Sequence, residues 1–138
     1  MRAIVLFSGG LDSSLAAKVV KDLGIEVQLV NFKTNLCTCS SCAKHGRVDT
    51  SQFMGLEVKT VFVFEEFMEM VTHPKYGYGA NMNPCLDCRI FMLRKAKEMM
   101  RSEGAAFVIT GEVLGQRPMS QMIHQIKIAE RDSGMEGL

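Results

Sequence analysis

Two groups of side chains in this sequence have the types and spacing to do chemistry. The first is Phe7-Ser8-Gly9-Gly10-Leu11-Asp12-Ser13-Ser14, which follows the apolar run Ala3-Ile4-Val5-Leu6 and precedes a helical pattern starting near Ser13. A strand that turns through glycine into a helix makes an anion cradle. The first helical N–H groups have no partners inside the helix and point outward with the positive end of its dipole. Gly9 and Gly10 let the backbone turn tightly and come close to a ligand. Ser8, Ser13 and Ser14 add hydroxyl donors, and the Asp12 carboxylate would repel a phosphate unless Mg²⁺ stood between them. No lysine stands where a Walker A loop needs one, so the pattern points to pyrophosphate held with a metal. The plain alternative is a Gly-Ser turn with Asp12 or Ser13 as an N-cap.

The second group is the cysteines, an odd five crowded into two short motifs. Cys85-Leu86-Asp87-Cys88 follows Asn83-Pro84 at the start of a helical pattern. Thiols at a helix N-terminus beside Arg89 are expected to have a lowered pKa and more of the nucleophilic, metal-binding thiolate. Cys37-Thr38-Cys39-Ser40-Ser41-Cys42 puts three sulfurs in a polar loop. Two sulfurs from each motif would make a tetrahedral zinc site, and three with an open iron position would suit a [4Fe–4S] cluster. A third use is a sulfur relay, with a persulfide on one cysteine and a second to resolve it. All three uses stay open at this level.

These motifs need a scaffold, and the hydrophobic pattern supplies one. Ala16, Val19, Val20 and Leu23 recur with helical spacing, and Gly24 follows as a C-cap. Val27 to Phe32 reads as a second strand covered on both faces, so strand, helix and strand form a parallel βαβ unit. A short helix is expected from Ala43 to Met54, a third strand from Val61 to Phe64, and a short acidic helix over Glu65 to Met70. His73 to Pro84 is a loop rich in Pro and Gly. Asp87 is expected to cap a helix that runs to about Ser102, with Leu86, Ile90, Leu93, Ala96 and Met100 on one face and Gly104 at its end. Phe107 to Thr110 is a fourth strand, Gly111-Glu112 opens a loop, and a last helix starts near Pro118 and fades by Asp132. Alternating strands and helices predict an α/β, doubly wound, Rossmann-like parallel sheet with ligands at the carboxyl ends of its strands. The loops after strands one, two and four should therefore share one edge.

The SGGLDSS stretch directly after a first strand resembles the PP-loop of the ATP pyrophosphatases, the adenine nucleotide alpha hydrolase-like superfamily, which cleave ATP between its α- and β-phosphates. With Asn83-Pro84-Cys85 ahead of a helix, the chain looks most like the tRNA-thiolating members, such as the tRNA 2-thiouridine synthases. The resemblance implies ATP and Mg²⁺ as cofactors. Ser8, Gly9, Gly10, Asp12, Ser13 and Ser14 would hold pyrophosphate and metal, and Gly111 would lie beside the nucleotide. Cys85 and Cys88, with Asp12, would be catalytic, and Cys37, Cys39, Cys42, Cys85 and Cys88 would be the ligands of any cluster or zinc. It implies an adenylating sulfurtransferase that modifies tRNA and receives sulfur from a donor protein or sulfide. The chain has no cysteine after Cys88, so the distal persulfide cysteine of the 2-thiouridine synthases has no counterpart. A cluster or the Cys37 loop is then the expected sulfur source. The alternative activities are the same adenylation with ammonia as nucleophile, as in 7-cyano-7-deazaguanine synthase with structural zinc, and a non-catalytic ATP- and metal-binding half of a two-chain enzyme.

The bulk properties limit the partners. With 138 residues and 47% hydrophobic content, one domain over residues 1–138 is expected. Such domains usually have a fifth strand, which would begin about where the sequence stops. The expectation is four strands with the fifth edge strand absent, the domain being C-terminally truncated or its sheet completed by a homo-oligomer or partner chain. A formal charge of +1 gives no bulk attraction to nucleic acid. Lys44, His45, Arg47, Arg89, Arg94, Lys95, Lys97 and Arg101 read as solvated helix surface before they read as contacts to a phosphate backbone. No apolar run approaches a membrane span or a signal-peptide core, so a cytoplasmic location without membrane contact is expected.

Overall fold

A computed structural model describes residues 1–34, 52–79, 82–116 and 120–136. The chain order is β1 (Arg2–Leu6), α1 (Leu11–Asp22), β2 (Glu26–Lys33), β3 (Gln52–Phe53), β4 (Leu56–Phe62), α2 (Phe64–Thr72), α3 (Cys85–Glu103), β5 (Phe107–Ile109) and α4 (Ile123–Ser133). The sheet runs β3-β4-β2-β1-β5. β1, β2, β4 and β5 pair in parallel, as expected, with Val5 opposite Leu29 on one side and Ile109 on the other.

β1 is central and covered on both faces, which is why Ala3, Ile4 and Val5 are fully buried. Alternation along the strands sorts the core into two layers. Val5, Phe7, Val27, Leu29 and Val58 pack with Ala17 of α1 on one face. Ile4 and Val30 pack with Met100 of α3 on the other, and Ile90 and Leu93 of α3 pack with Ala129 of α4. α2 leans on α3 through an edge-to-face contact of Phe67 with Phe91, 5.9 Å between ring centres.

Several expected boundaries are corrected. The helix expected from Ala43 to Met54 ends in disagreement, because Gln52–Phe53 is a strand antiparallel to β4. Residues 43–51 of that expectation lie outside the described residues. The joint is a two-residue hairpin at Met54 and Gly55, both with positive φ (55° and 74°), the conformation that matches hairpin twist. Methionine at its first position hides the usual Asn-Gly signal. Lys21 Nζ holds the turn by donating to the Met54 carbonyl at 2.6 Å. β4 starts at Leu56, earlier than the expected Val61, since Val58 faces the core.

On α1 the stripe Ala16, Val19, Val20 and Leu23 is only partly the core face: Val20 packs against the core. Ser13 and Ala17 are buried there, while Val19 and Leu23 are 52% and 72% exposed. α3 begins at Cys85, so Asp87 is inside its first turn instead of capping it. Of the expected α3 face, Ile90, Leu93, Ala96 and Met100 are buried, and Gly104 ends the helix in the left-handed conformation. α4 starts at Ile123, five residues after Pro118, which lies outside the described residues.

Candidate nucleotide and sulfur site

The turn after β1 is built by hydrogen bonds among its own serines. Ser13 Oγ donates to the Gly10 carbonyl at 3.0 Å and accepts the Ser8 N–H at 3.3 Å. Ser8 Oγ lies 3.1 Å from Ser13 Oγ and accepts the Gly10 N–H at 3.3 Å. Gly9 has φ 79°, a conformation that favours glycine. The result is a stiff loop whose far side is bare. Gly10 caps α1 with no side-chain hydrogen bond, so the first N–H groups of the helix are available to a ligand. The N-cap reading of Asp12 or Ser13 is thereby corrected.

The loop after β5 presses against this turn. A Cβ built on Gly111 would stand 2.4 Å from the Ser13 nitrogen, so only glycine fits there.

A cavity of about 570 Å³ opens between these elements. Ser8, Gly10, Asp12 and Ser13 form one wall, and Thr110, Gly111 and Glu112 form the floor. Cys85, Cys88, Arg89 and Met92 of α3 form the facing wall, and Gln116, Ser120 and Gln121 approach from the far loop. Asp12, Cys85, Cys88 and Gly111, expected on separate grounds, thus share one space with the cradle. Gly9 and Ser14 do not line the cavity, and Ser14 N donates to the Gly10 carbonyl at 3.1 Å. Cys37, Cys39 and Cys42 lie outside the described residues.

The two thiols differ. Cys85 is the first residue of α3 and Cys88 stands one turn on, its N–H donating to the Pro84 carbonyl at 2.8 Å. Burial first, and then the neighbouring Cys85, push the Cys88 thiol up to about 11. The expectation that the helix end lowers both thiols is corrected for Cys88, because loss of water outweighs the helix dipole there.

Three polar residues of the walls were not assigned to the site from sequence. Arg89, with a side chain only 10% exposed, forms an ion pair with Glu112 across the cavity. Its Nε finds no hydrogen-bond acceptor among the described residues, and neither does any donor reach the Gln121 Oε1. A buried guanidinium and amide with spare hydrogen-bonding capacity at a cavity wall are suited to a polar, anionic guest. The available signal was their position: polar residues just past the carboxyl end of the fourth parallel strand, and an arginine one turn after a helix-starting cysteine.

Of the cations weighed for a phosphate backbone, Lys44, His45 and Arg47 lie outside the described residues, and most of the described ones have partners inside the chain. Arg94 donates to the Asp132 carbonyl at 2.8 Å and Lys97 to that of Gly134, while Lys95 pairs with Glu66 at 2.7 Å. His73 and His124 are surface residues. Among the described residues, no set of three or more His, Cys, Asp or Glu is placed to hold a metal ion. No helix among them is long and apolar enough to cross a membrane.

The sequence matches the family described as thiamine biosynthesis protein (ThiI) over residues 1–136. A probable tRNA sulfurtransferase of Methanosarcina mazei is 32% identical over 125 residues, covering 83% of this chain and 29% of that protein. A tRNA-specific 2-thiouridylase MnmA of Campylobacter hominis is 28% identical over 116 residues, covering 80% of this chain and 32% of its own. Among solved structures, a 4-thiouridine synthetase in complex with RNA and bound ATP superposes with a TM-score of 0.69 at 22% identity. That match covers 95% of this chain and 34% of the other, and it shows a shared fold. The chain spans about a third of the length of these relatives. With a match that runs from the first strand through the last helix, the chain belongs to the ThiI family of the PP-loop superfamily.

Proposed function

We propose that this chain is the ATP-adenylating part of a tRNA sulfurtransferase, working in the cytoplasm. The observation that carries this reading is the shared cavity, with an anion cradle on one wall and two thiols on the other. tRNA enters the reading because relatives are named for acting on it.

In this reading the bare N–H groups of α1 and the Ser8–Ser13 loop bind the pyrophosphate end of ATP. Asp12 is the carboxylate on that wall able to hold Mg²⁺, which when bound would neutralise charge on the departing pyrophosphate. Arg89, held by Glu112, brings a cation to the opposite side of the phosphate chain, and Gln121 offers its amide beside it. The base carbonyl oxygen attacks the α-phosphorus and pyrophosphate leaves. A persulfide on a donor protein passes its outer sulfur to the Cys85 thiolate and leaves as a thiol; that outer sulfur then attacks the base carbon bearing the adenylated oxygen, and AMP departs with the oxygen. The Cys88 thiolate, one turn behind, attacks Cys85 Sγ, which frees the thiocarbonyl and leaves a Cys85–Cys88 disulfide for an added dithiol reductant to reopen; sulfide, where it is the donor, attacks the carbon directly without Cys85. A [4Fe–4S] cluster or zinc takes three or four thiolates, and would need Cys85 and Cys88 together with Cys37, Cys39 or Cys42, which lie outside the described residues. A second chain, another copy or an unlike subunit, would cover the free edge of β5 and the exposed side of α1.

The test is pyrophosphate release and base thiolation with unmodified tRNA, ATP, Mg²⁺, a persulfide-bearing donor protein and a dithiol reductant. Asp12→Ala is expected to lower both about a hundredfold or more and leave the circular dichroism spectrum unchanged. Cys85→Ser is expected to abolish thiolation and spare pyrophosphate release. Full thiolation by Cys85→Ser would remove the assigned role.

A further inference from the structure

Asp87 lies between the two cysteines, yet it faces away from their cavity. Its carboxylate is 7% exposed and accepts two backbone N–H groups at 3.0 Å each, from Lys75 to Oδ1 and from Tyr76 to Oδ2. Both donors belong to the segment between α2 and α3. That segment is fixed a second time, by α4: Lys75 Nζ reaches Asp132 Oδ2 at 2.5 Å, and the Tyr76 hydroxyl donates to the same oxygen at 2.6 Å. Arg131 Nε donates to Asp132 Oδ1 at 3.0 Å, and Arg94 of α3 donates to its backbone carbonyl. Three polypeptide segments, the strap, α3 and α4, therefore meet at two nearly buried carboxylates, behind the turn of helix that carries Cys85 and Cys88.

An α-helix end with no side-chain cap frays easily, and Pro84 gives α3 none. A carboxylate in the first turn that grips a neighbouring strap removes that freedom without occupying the cavity side. We infer that Asp87 and Asp132 are positioning residues, which clamp the 75–76 strap behind α3 and hold the two thiols at a fixed angle to the nucleotide cradle. The inference rests on the reading that these thiols face the reacting base. The clamp sets thiol geometry and leaves the cradle alone, since none of its groups belongs to the Ser8–Ser13 loop.

The experiment uses the full chain and the variants Asp87→Asn, Asp132→Asn and Tyr76→Phe. Iodoacetamide labelling of Cys85 and Cys88 is followed separately by peptide mass spectrometry, and Mg·ATP affinity is measured by calorimetry. An amide at 87 keeps one acceptor but turns a donor toward a backbone N–H. Cys88 labelling should then rise about tenfold through fraying of the helix end, with ATP affinity within about twofold of the parent. Asp132→Asn and Tyr76→Phe act from the rim and should raise labelling less. Where thiolation is assayed, kcat should fall while KM for ATP stays. Unchanged labelling in all three folded variants overturns the clamp, as does a loss of ATP affinity in step with labelling, which would mark a global effect. Should Asp87→Asn fail to fold, the two rim variants decide alone. Thiolation by Cys85→Ser would instead overturn the role of the thiols, whatever the labelling shows.

Discussion

α1 and α3 both begin at the cavity without a side-chain cap, and they are held in opposite ways. α3 is tied on every side: Lys95 to α2, Arg94 and Lys97 to the end of α4, Arg89 to the loop after β5, and Asp87 to the strap. α1 buries only Ser13 and Ala17 fully and turns Leu11, Leu15, Val19 and Leu23, each four residues apart, to the outside with exposures of 52–81%. Its side-chain ties are few, chiefly Lys21 to Met54 and a surface pair of Lys18 with Asp22 at 2.6 Å. The difference separates two tasks. On the proposed reading, the helix carrying the thiols must be fixed in rotation, whereas the helix offering backbone N–H groups needs only its first turn in place.

The largest effect should come from breaking that first turn. Gly111→Val puts a side chain into the Ser13 backbone and should cost about 3 kcal/mol or more by overpacking. It should also weaken Mg·ATP binding about a hundredfold by moving the cradle. Denaturant unfolding and calorimetry check both, and parent-like ATP binding would contradict the packed junction.

Next is the packed side of α3. Ala96 is fully buried, so Ala96→Leu should lower stability by about 1–3 kcal/mol with ATP affinity kept.

A pH series sharpens the contrast between the thiols. The folded pKa of Cys88 is raised, so its stabilising effect is complete below the unfolded value near 9 and is lost as pH rises through about 11. Parent and Cys88→Ala should therefore differ by a constant amount up to pH 9 and converge above it, by at most about 3 kcal/mol. On the acid side, hydrogen bonds from Lys75 first, then Tyr76 and Arg131, hold the Asp132 carboxyl below the usual carboxylate range. Its contribution is present above the ordinary carboxylate pKa and declines as pH falls below it. The parent, compared with Asp132→Asn, should lose more stability in that window.

The smallest effect belongs to the outer ridge of α1. Leu15→Ser should shift stability by no more than about 0.5 kcal/mol in a chain that is monomeric under the assay. A larger, concentration-dependent loss would mean that the ridge is covered by another copy in solution, which light scattering would register.

What the sequence disclosed follows from how local each signal is. The cradle was legible because Gly9, Gly10 and the serines act within six residues on their own backbone. The parallel sheet was legible because β1 and β2 are apolar on both faces. The facing wall was harder. Arg89 and Glu112 are 23 positions apart and meet only because β5 pairs with β1, and Gln121 reaches the cavity from a loop without periodicity. The α1 stripe misled in part for a physical reason: apolar residues occur at helical spacing on both sides of it, and it is Ala17 and Val20 that pack against the sheet while Val19 and Leu23 face outward. Met54 misled by standing where a hairpin normally carries asparagine.

The bare start of α1 has a consequence for folding as well as for binding. A helix this short, with little buried surface of its own, is completed at its first turn by whatever anion accepts those N–H groups. The phosphate chain of a nucleotide would then be the missing terminal residue of this secondary structure. Its arrival should slow amide exchange in Leu11 to Ser14 and spread along α1 into β2, so that the guest finishes the architecture that receives it.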